Sequence, residues 1–161
     1  MISEKLEKAI NEQIAAELWS SNLYLSMSFF CGKEGYSGFA TWMDKQSEEE
    51  RSHAALFADF LIKRGGTAKV LTVQDVPFHW NSPEELFKNV YKHECGVSQR
   101  INNLLDIAIA DGDKAAQDFL WTFVREQVQE EATAEDIVTK LQKFGEHALF
   151  SLDNTLGQRQ A

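Results

Sequence analysis

Residues 46–53 read Gln-Ser-Glu-Glu-Glu-Arg-Ser-His (QSEEERSH) and lie inside a long helix-patterned stretch. Glu50 and His53 fall on one face of this helix, at positions where a buried face requires apolar side chains. The same face continues on both sides with apolar residues at helical spacing: Phe39, Met43, Phe57 and Phe60. The segment therefore predicts a core helix that carries a carboxylate and an imidazole into the protein interior.

Three other helix-patterned stretches interrupt their apolar faces in the same way. Glu17 lies on the face of the first stretch, Glu94 on that of the third, and Gln127 and Glu130 on that of the fourth. A single glutamate at the edge of an apolar face is usually a solvated side chain that reaches past the core. Here each polar residue lies near the middle of its helix, so all of them would meet in one layer of a bundle. This coincidence favours a shared polar site.

Glycine, proline and capping residues divide the chain into helices with predicted bounds of 3–31, 37–64, 83–111, 113–144 and 146–157. Short segments join the first helix to the second and the third to the fourth, so each of these pairs should be antiparallel. The segment between the second and third helices is long enough to run the length of a bundle. We expect one all-α domain over 1–161, a four-helix bundle with one long crossover and a short C-terminal fifth helix.

Composition excludes several classes of protein. The formal net charge is -9, from 25 acidic and 16 basic residues, which argues against a nucleic-acid partner and suits a protein that binds cations. Two cysteines, Cys31 and Cys95, cannot build a disulfide framework or a Cys-rich zinc site, and we expect both to be structural thiols. No window approaches the ~18 uninterrupted apolar residues of a membrane span, and the first residues do not form a signal peptide. We expect a cytoplasmic protein.

The polar layer itself predicts the ligand. Glu17, Glu50, Glu94 and Glu130 together carry four formal negative charges, which two divalent cations would balance. Ionised and unpaired in a core, these carboxylates would be very costly. Oxygen ligands with one imidazole suit iron or manganese better than zinc or copper. No cysteine lies in this layer, so an iron–sulfur site is excluded.

The local strings resemble those of the bacterial non-haem ferritins, within the ferritin-like di-iron family. They lie in all four long helices: Asn11-Glu12-Gln13-x3-Glu17, Glu49-Glu50-x2-His53, Tyr91-Lys92-His93-Glu94 and Glu126-Gln127-x2-Glu130. The resemblance implies a ferritin-like bundle that oxidises Fe(II) with dioxygen or peroxide at two irons within each subunit. It also implies ferric mineral stored in a hollow homo-oligomeric shell of 24 subunits, with the leucines of the fifth helix packed at symmetry axes (Leu149, Leu152 and Leu156).

The resemblance also assigns site residues. One iron would be held by Glu17, Glu50 and His53, with Glu50 bridging to a second iron. Glu94 and Glu130, the remaining core carboxylates, would hold that second iron together with Glu50. Gln127 would lie beside it as a neutral ligand or as a hydrogen-bonding side chain. Tyr24 resembles the family tyrosine beside the centre. A third, weaker iron site would use Glu49 and Glu126, but Gln129 stands where a glutamate is expected.

The sequence also differs from that of a related family, the haem-binding bacterioferritins, at two positions that bear on haem binding. Haem-binding bacterioferritins carry a second Glu-x-x-His and a methionine beside the first histidine, whereas this chain has Gln127-x-x-Glu130 and Ser52. We therefore expect no haem. Two alternatives remain: a di-manganese or di-iron oxidase of the same fold that stores nothing, and a helical interaction module whose core glutamates are protonated and hydrogen-bonded.

Overall fold

The computed structural model describes residues 1–160 and is entirely helical in its regular structure. The elements are α1 (Glu4–Lys33), α2 (Ser37–Lys63), α3 (Pro83–Ala110), α4 (Lys114–Phe144) and α5 (Glu146–Leu156). Each end lies within two residues of the bound predicted from the sequence. The expected all-α class and the four long helices with a short fifth helix are confirmed. Ala161, the last residue of the predicted domain, lies outside the described residues.

Side-chain caps explain where three of the helices begin. Ser3 Oγ accepts a hydrogen bond from Leu6 N, and Ser82 Oγ accepts one from Glu85 N, both at 3.1 Å. Asp113 Oδ1 accepts one from Ala116 N at 3.0 Å. Each cap satisfies an amide that the first helical turn leaves without a partner.

The segment 64–82, here called the crossover, sets the direction of α3. It begins beside the N-terminal half of α1, where Asn11 Nδ2 donates to Thr67 O at 2.9 Å. It ends beside the C-terminal half, where Ser26 Oγ donates to Pro77 O at 2.6 Å. Because α3 starts where the crossover ends, α3 runs antiparallel to α1 and parallel to α2. The predicted long crossover is confirmed.

The core consists of two apolar clusters with a polar layer between them. One cluster fills the end of the bundle near the start of α1 (Leu6, Ile10, Phe57, Leu61, Ile101, Leu104, Leu120). The other fills the opposite end (Met27, Phe39, Met43, Phe87, Val90, Ile137, Leu141). Polar side chains of all four long helices are buried between them (Gln13, Glu17, Gln46, Glu50, His53, Glu94, Gln127). The apolar ends thus hold the polar layer in a water-poor interior.

Helix α5 docks on the N-terminus of α2 through a very close backbone approach. A Cβ atom added at Gly38 would lie 1.7 Å from Asp153 O, so only glycine fits there. Asp153 Oδ1 accepts a hydrogen bond from Phe39 N at 2.9 Å and caps α2. The three leucines of α5 are half-buried and pack on the second apolar cluster of their own subunit (Leu149, Leu152, Leu156). The packing of their exposed parts at symmetry axes stays a prediction. Phe150, also in α5, is exposed.

Candidate metal centre

Three side chains from α1 and α2 form a compact, buried set, here called the buried group: Glu17, Glu50 and His53. One potential ligand atom from each lies within 4.8 Å of the other two. His53 Nδ1 lies 3.2 Å from Glu50 Oε2 and 3.9 Å from Glu17 Oε2. The Glu-x-x-His spacing places Glu50 and His53 on one face of α2, and the antiparallel α1 brings Glu17 against them. Two carboxylates and one imidazole nitrogen make a donor set that suits Fe(II).

Hydrogen bonding leaves one oxygen of this group free. Gln13, one turn before Glu17 on α1, donates from Nε2 to Glu17 Oε1 at 2.7 Å. Glu17 Oε2 is buried and finds no hydrogen-bond donor within residues 1–160. A buried carboxylate oxygen without a partner is costly unless a ligand occupies the space that it faces. The geometry therefore points to a cation beside Glu17 Oε2.

Burial and mutual repulsion dominate the electrostatics of the layer. Burial, and then the charge of Glu50, raise the pKa of Glu17 well above its ordinary value. Burial also raises the pKa of Glu50, and it raises that of Glu94 to about 7. The metal-free layer thus binds protons that an exposed set of glutamates would release, and bound cations must replace those protons.

Glu94 and Glu130 lie outside the compact set in the metal-free arrangement. Both oxygens of Glu94 accept hydrogen bonds: Oε1 from the Tyr24 hydroxyl, and Oε2 from Gln127 Nε2 at 3.0 Å. Glu130 is half-buried and accepts a hydrogen bond from Gln46 Nε2 at 3.2 Å. The structure therefore brings Tyr24, Gln127 and Glu94 together as a second hydrogen-bonded cluster beside the buried group. The charges of Glu17 and Glu130 contribute to the raised pKa of Glu94, so the two clusters are electrostatically connected.

A second compact set, here called the outer group, consists of Glu49, His53 and Glu126. It shares His53 with the buried group, and His53 Nε2 lies 3.2 Å from Glu126 Oε1. Unlike the buried group, it contains half-buried carboxylates, and Arg159 Nη2 lies 2.7 Å from Glu49 Oε2. Gln129 is exposed and donates to Thr133 Oγ1 at 3.2 Å, within its own helix.

His53 faces carboxylates through both ring nitrogens. Burial alone would lower the pKa of this imidazole. Hydrogen bonds to Glu126 and Glu50, together with the charges of Glu50 and Glu17, outweigh burial and raise the pKa to about 11. The metal-free imidazole is therefore protonated at neutral pH. Coordination of a cation by His53 must release this proton.

Sequence reasoning did not assign Gln13, Gln46 or Arg159 to the site. The two glutamines carried a local signal, because each lies four residues before a core glutamate and so on the same helical side. Arg159 carried none, since 110 residues separate it from Glu49 and only the docking of α5 brings the two together.

The two cysteines lie away from both groups. Cys31 is buried near the end of α1, and burial raises the pKa of its thiol to about 12. Cys95 follows Glu94 and is half-buried. Neither enters a potential metal-ligand set within the described residues.

Comparison with known proteins gives consistent matches over the whole chain. The ferritin family model, for the ferritin-like domain, matches residues 7–144. The chain is 60% identical over 159 residues to a bacterial non-heme ferritin of Bacteroides fragilis, with 99% of this chain and 100% of the relative covered. It is 35% identical over 161 residues to a bacterial non-heme ferritin of Staphylococcus aureus, with 99% and 97% covered. An open pore ferritin from the archaeon Archaeoglobus fulgidus superposes with a TM-score of 0.97 at 45% identity, with 99% of this chain and 100% of that chain covered.

Proposed function

This chain belongs to the ferritin family, and on that premise we propose that each subunit oxidises Fe(II) at a two-iron centre and delivers the product to a stored ferric mineral. Iron storage with ferroxidase activity follows from the family and from the site formed by Glu17, Glu50 and His53. The finer assignment of irons to ligands is our inference. The observation that carries it is the buried Glu17 Oε2, which has no hydrogen-bond partner among residues 1–160 and faces the imidazole of His53.

The assignment of the first iron uses all three members of the buried group, with Glu50 as the bridge to a second iron. The second iron would be held by Glu50, Glu94 and Glu130, with Gln127 beside it. Glu94 and Glu130 must exchange their present hydrogen bonds for the cation, and each of these bonds comes from a neutral side chain. Two Fe(II) ions balance the four formal charges of the core glutamates, which removes the repulsion that the metal-free layer offsets by binding protons.

The ligand residues promote the oxidation of Fe(II) in two ways: they hold the two irons in place, and their negative charge stabilises Fe(III). Each Fe(II) gives up one electron, so a pair supplies the two electrons that reduce dioxygen to hydrogen peroxide, with the uptake of two protons. The same pair could instead reduce peroxide to two molecules of water, again with two protons. The carboxylates favour Fe(III) over Fe(II) because they stabilise the higher charge more strongly. Gln13 holds Glu17 by a hydrogen bond to Oε1, so this ligand is oriented before iron arrives. Tyr24 holds Glu94 by its hydroxyl until iron takes the place of that hydrogen bond.

We further propose that the outer group is a weaker third iron site and that the protein binds no haem. Glu49, His53 and Glu126 supply ligand atoms for the third site, while Gln129 contributes no charge. Ser52 is exposed beside His53 and donates to Glu49 O at 2.7 Å, and it offers no thioether for haem iron. An absent Soret band after expression with added haem would support the second point, whereas stoichiometric haem would contradict it.

Storage requires a closed shell, and we propose a 24-subunit homo-oligomer. Several large apolar side chains are exposed on the isolated subunit and are suited to contacts between copies (Phe29, Val70, Phe78, Phe150).

Among residues 1–160, none of the helices combines the length and apolar character needed to cross a bilayer. We propose a cytoplasmic location.

Native mass measurement with and without added Fe(II) tests the storage function. We expect a 24-subunit particle whose mass rises by far more than two irons per subunit after aerobic loading. A monomer or dimer that oxidises Fe(II) would instead favour an oxidase of the same fold. A protein that binds no metal would favour the interaction module.

A further inference from the structure

The guanidinium of Arg159 makes three contacts around the outer group. Nη2 pairs with Glu49 Oε2 at 2.7 Å, and Nη1 donates to Trp42 O at 3.4 Å. The guanidinium carbon also lies 5.1 Å from the centre of the Trp42 ring. A carboxylate, a carbonyl and an aromatic face therefore hold one cation, which is more than an isolated surface ion pair provides.

The position of Arg159 depends on the docking of α5 rather than on a free tail. Asp153 caps α2 through Phe39 N, and the α5 backbone meets α2 where Gly38 and Gly157 approach each other. A Cβ atom added at Gly157 would lie 2.8 Å from Gly38 Cα. Arg159 N also donates to Leu156 O at 3.2 Å, so the residues after α5 turn back toward the bundle. The turn that follows α5 thus delivers the guanidinium to Glu49.

We propose that Arg159 lowers the metal affinity of the outer group: it is the resident cation of Glu49, and a divalent metal ion must displace it to bind there. This inference rests on the proposed third iron site. The pair between Arg159 and Glu49 is only partly exposed, with side-chain exposures of 24% and 30%, so water screens it less than a surface pair. A metal ion that uses the same Glu49 oxygen competes with the guanidinium for the lone pairs and the negative charge of that oxygen, and the two positive charges repel each other.

The buried group provides an internal comparison. No lysine or arginine pairs with Glu17 or Glu50 within the described residues, and Glu17 Oε2 is free. Arg159 therefore weakens the outer group while leaving the buried group unopposed. Iron would fill the buried group first, and only a higher concentration of Fe(II) would fill the outer group.

Calorimetric titration with Zn(II) tests the proposal, because Zn(II) does not change oxidation state and reports binding alone. The proteins are the full-length chain, Arg159→Gln, Glu49→Gln, the double variant, and Lys143→Gln. Lys143 is an exposed residue near the end of α4, and its substitution removes the same charge at a distance. Glu49→Gln identifies which binding step belongs to the outer group.

We expect Arg159→Gln to tighten that step by about fivefold, because its competitor is lost. The other steps should stay unchanged, Lys143→Gln should behave like the unsubstituted protein, and the double variant should match Glu49→Gln. If Glu49→Gln removes a step that Arg159→Gln does not tighten, the role of Arg159 is refuted while the third site stands. If Glu49→Gln removes no step, the third site and the inference that rests on it both fail.

Discussion

The buried and outer groups share one imidazole but differ in how the protein treats their carboxylates. Glu17 and Glu50 are almost fully buried, and within residues 1–160 their only cationic partner is His53. Glu49 and Glu126 are half-buried, and an arginine already pairs with Glu49. His53 contacts Glu50 through Nδ1 and Glu126 through Nε2, so it belongs to both.

The difference shows how one layer of side chains can hold sites of unequal strength. Burial makes unpaired carboxylates costly, so the buried group gains most when cations arrive. The outer group gains less, because water and Arg159 already stabilise its charge. We therefore infer that the buried group binds metal ions more tightly than the outer group. The difference comes from burial and from competition by Arg159, because the two groups have the same types of ligand. The following predictions are ordered from the largest expected effect to the smallest.

Glu50→Ala should produce the largest effect. If Glu50 bridges two irons, its loss removes a ligand from both of them. Substitution of a residue that only hydrogen-bonds to a metal ligand typically costs about 10–100-fold, and we expect Glu50→Ala to slow rapid Fe(II) oxidation by more than that. Stopped-flow absorbance after mixing with oxygenated buffer measures the rate. Glu48→Ala, an exposed position on the same helix, is the matched control and should oxidise Fe(II) normally.

The same variant separates a metal site from a structural polar core. The metal-free protein should melt at the same temperature or higher, since one of four repelling carboxylates is gone and water can enter the small cavity. Added Fe(II), without oxygen, should stabilise it less than the unsubstituted protein. Strong destabilisation of the metal-free variant with oxidation intact would show that Glu50 is structural.

Gln13→Leu should have the next largest effect, and it tests the support of the buried group. The substitution removes the donor that holds Glu17 Oε1, so Zn(II) affinity of the buried group should fall about 10-fold. The step assigned to the outer group should not change. Gln99→Leu, on the exposed side of α3, is the control, and equal losses in both variants would refute a positioning role for Gln13.

The stability of the metal-free protein should fall as pH rises from about 5 to 9. The pKa of Glu94 is raised in the folded state from 4.5 to about 7, so its stabilising contribution is complete below 4.5 and is lost as pH approaches 7. The raised pKa of His53 acts in the same direction between 6.5 and about 11. Thermal melts should show a decline of about ten degrees or more, since one pKa unit corresponds to ~1.4 kcal/mol and ~1 kcal/mol corresponds to about 2–4 °C in a chain of this size.

Two variations sharpen the pH test. Glu94→Gln should flatten the part of the decline between pH 5 and 7, because no carboxyl group titrates at that position. With saturating Zn(II), the stabilisation by metal should instead grow with pH, because deprotonated ligands bind it. A metal-free protein that becomes more stable from pH 5 to 9 would contradict the assignment of a protonated layer.

Gln129→Glu should have the smallest effect. It restores the carboxylate expected at a third iron site, but the side chain at position 129 is exposed and contacts Thr133 of the same helix. We expect Zn(II) affinity of the outer group to rise at most about threefold, as for other exposed charges. A larger gain than that of Arg159→Gln would show that Gln129, rather than Arg159, limits the outer group.

The sequence predicted those features that depend on local spacing. The polar interruptions at Glu17, Glu50 and Glu94 indicated the buried layer, because helical periodicity fixes which residues face a core. No local sequence pattern indicates contacts that form only when separate helices dock on each other. Arg159 reaches Glu49 only because Gly38 allows α5 to approach α2. The hydrogen bonds that draw Glu94 and Glu130 away from the buried group also depend on side-chain conformations that periodicity does not define.

The most direct test of the two-iron centre is anomalous diffraction at the iron edge from crystals loaded with Fe(II) without oxygen. Our account predicts two strong peaks per subunit at low iron, one among Glu17, Glu50 and His53 and one among Glu50, Glu94 and Glu130. A weaker third peak beside Glu49 and Glu126 should appear only at higher iron. A single peak at the outer group, with the buried group empty, would contradict the account.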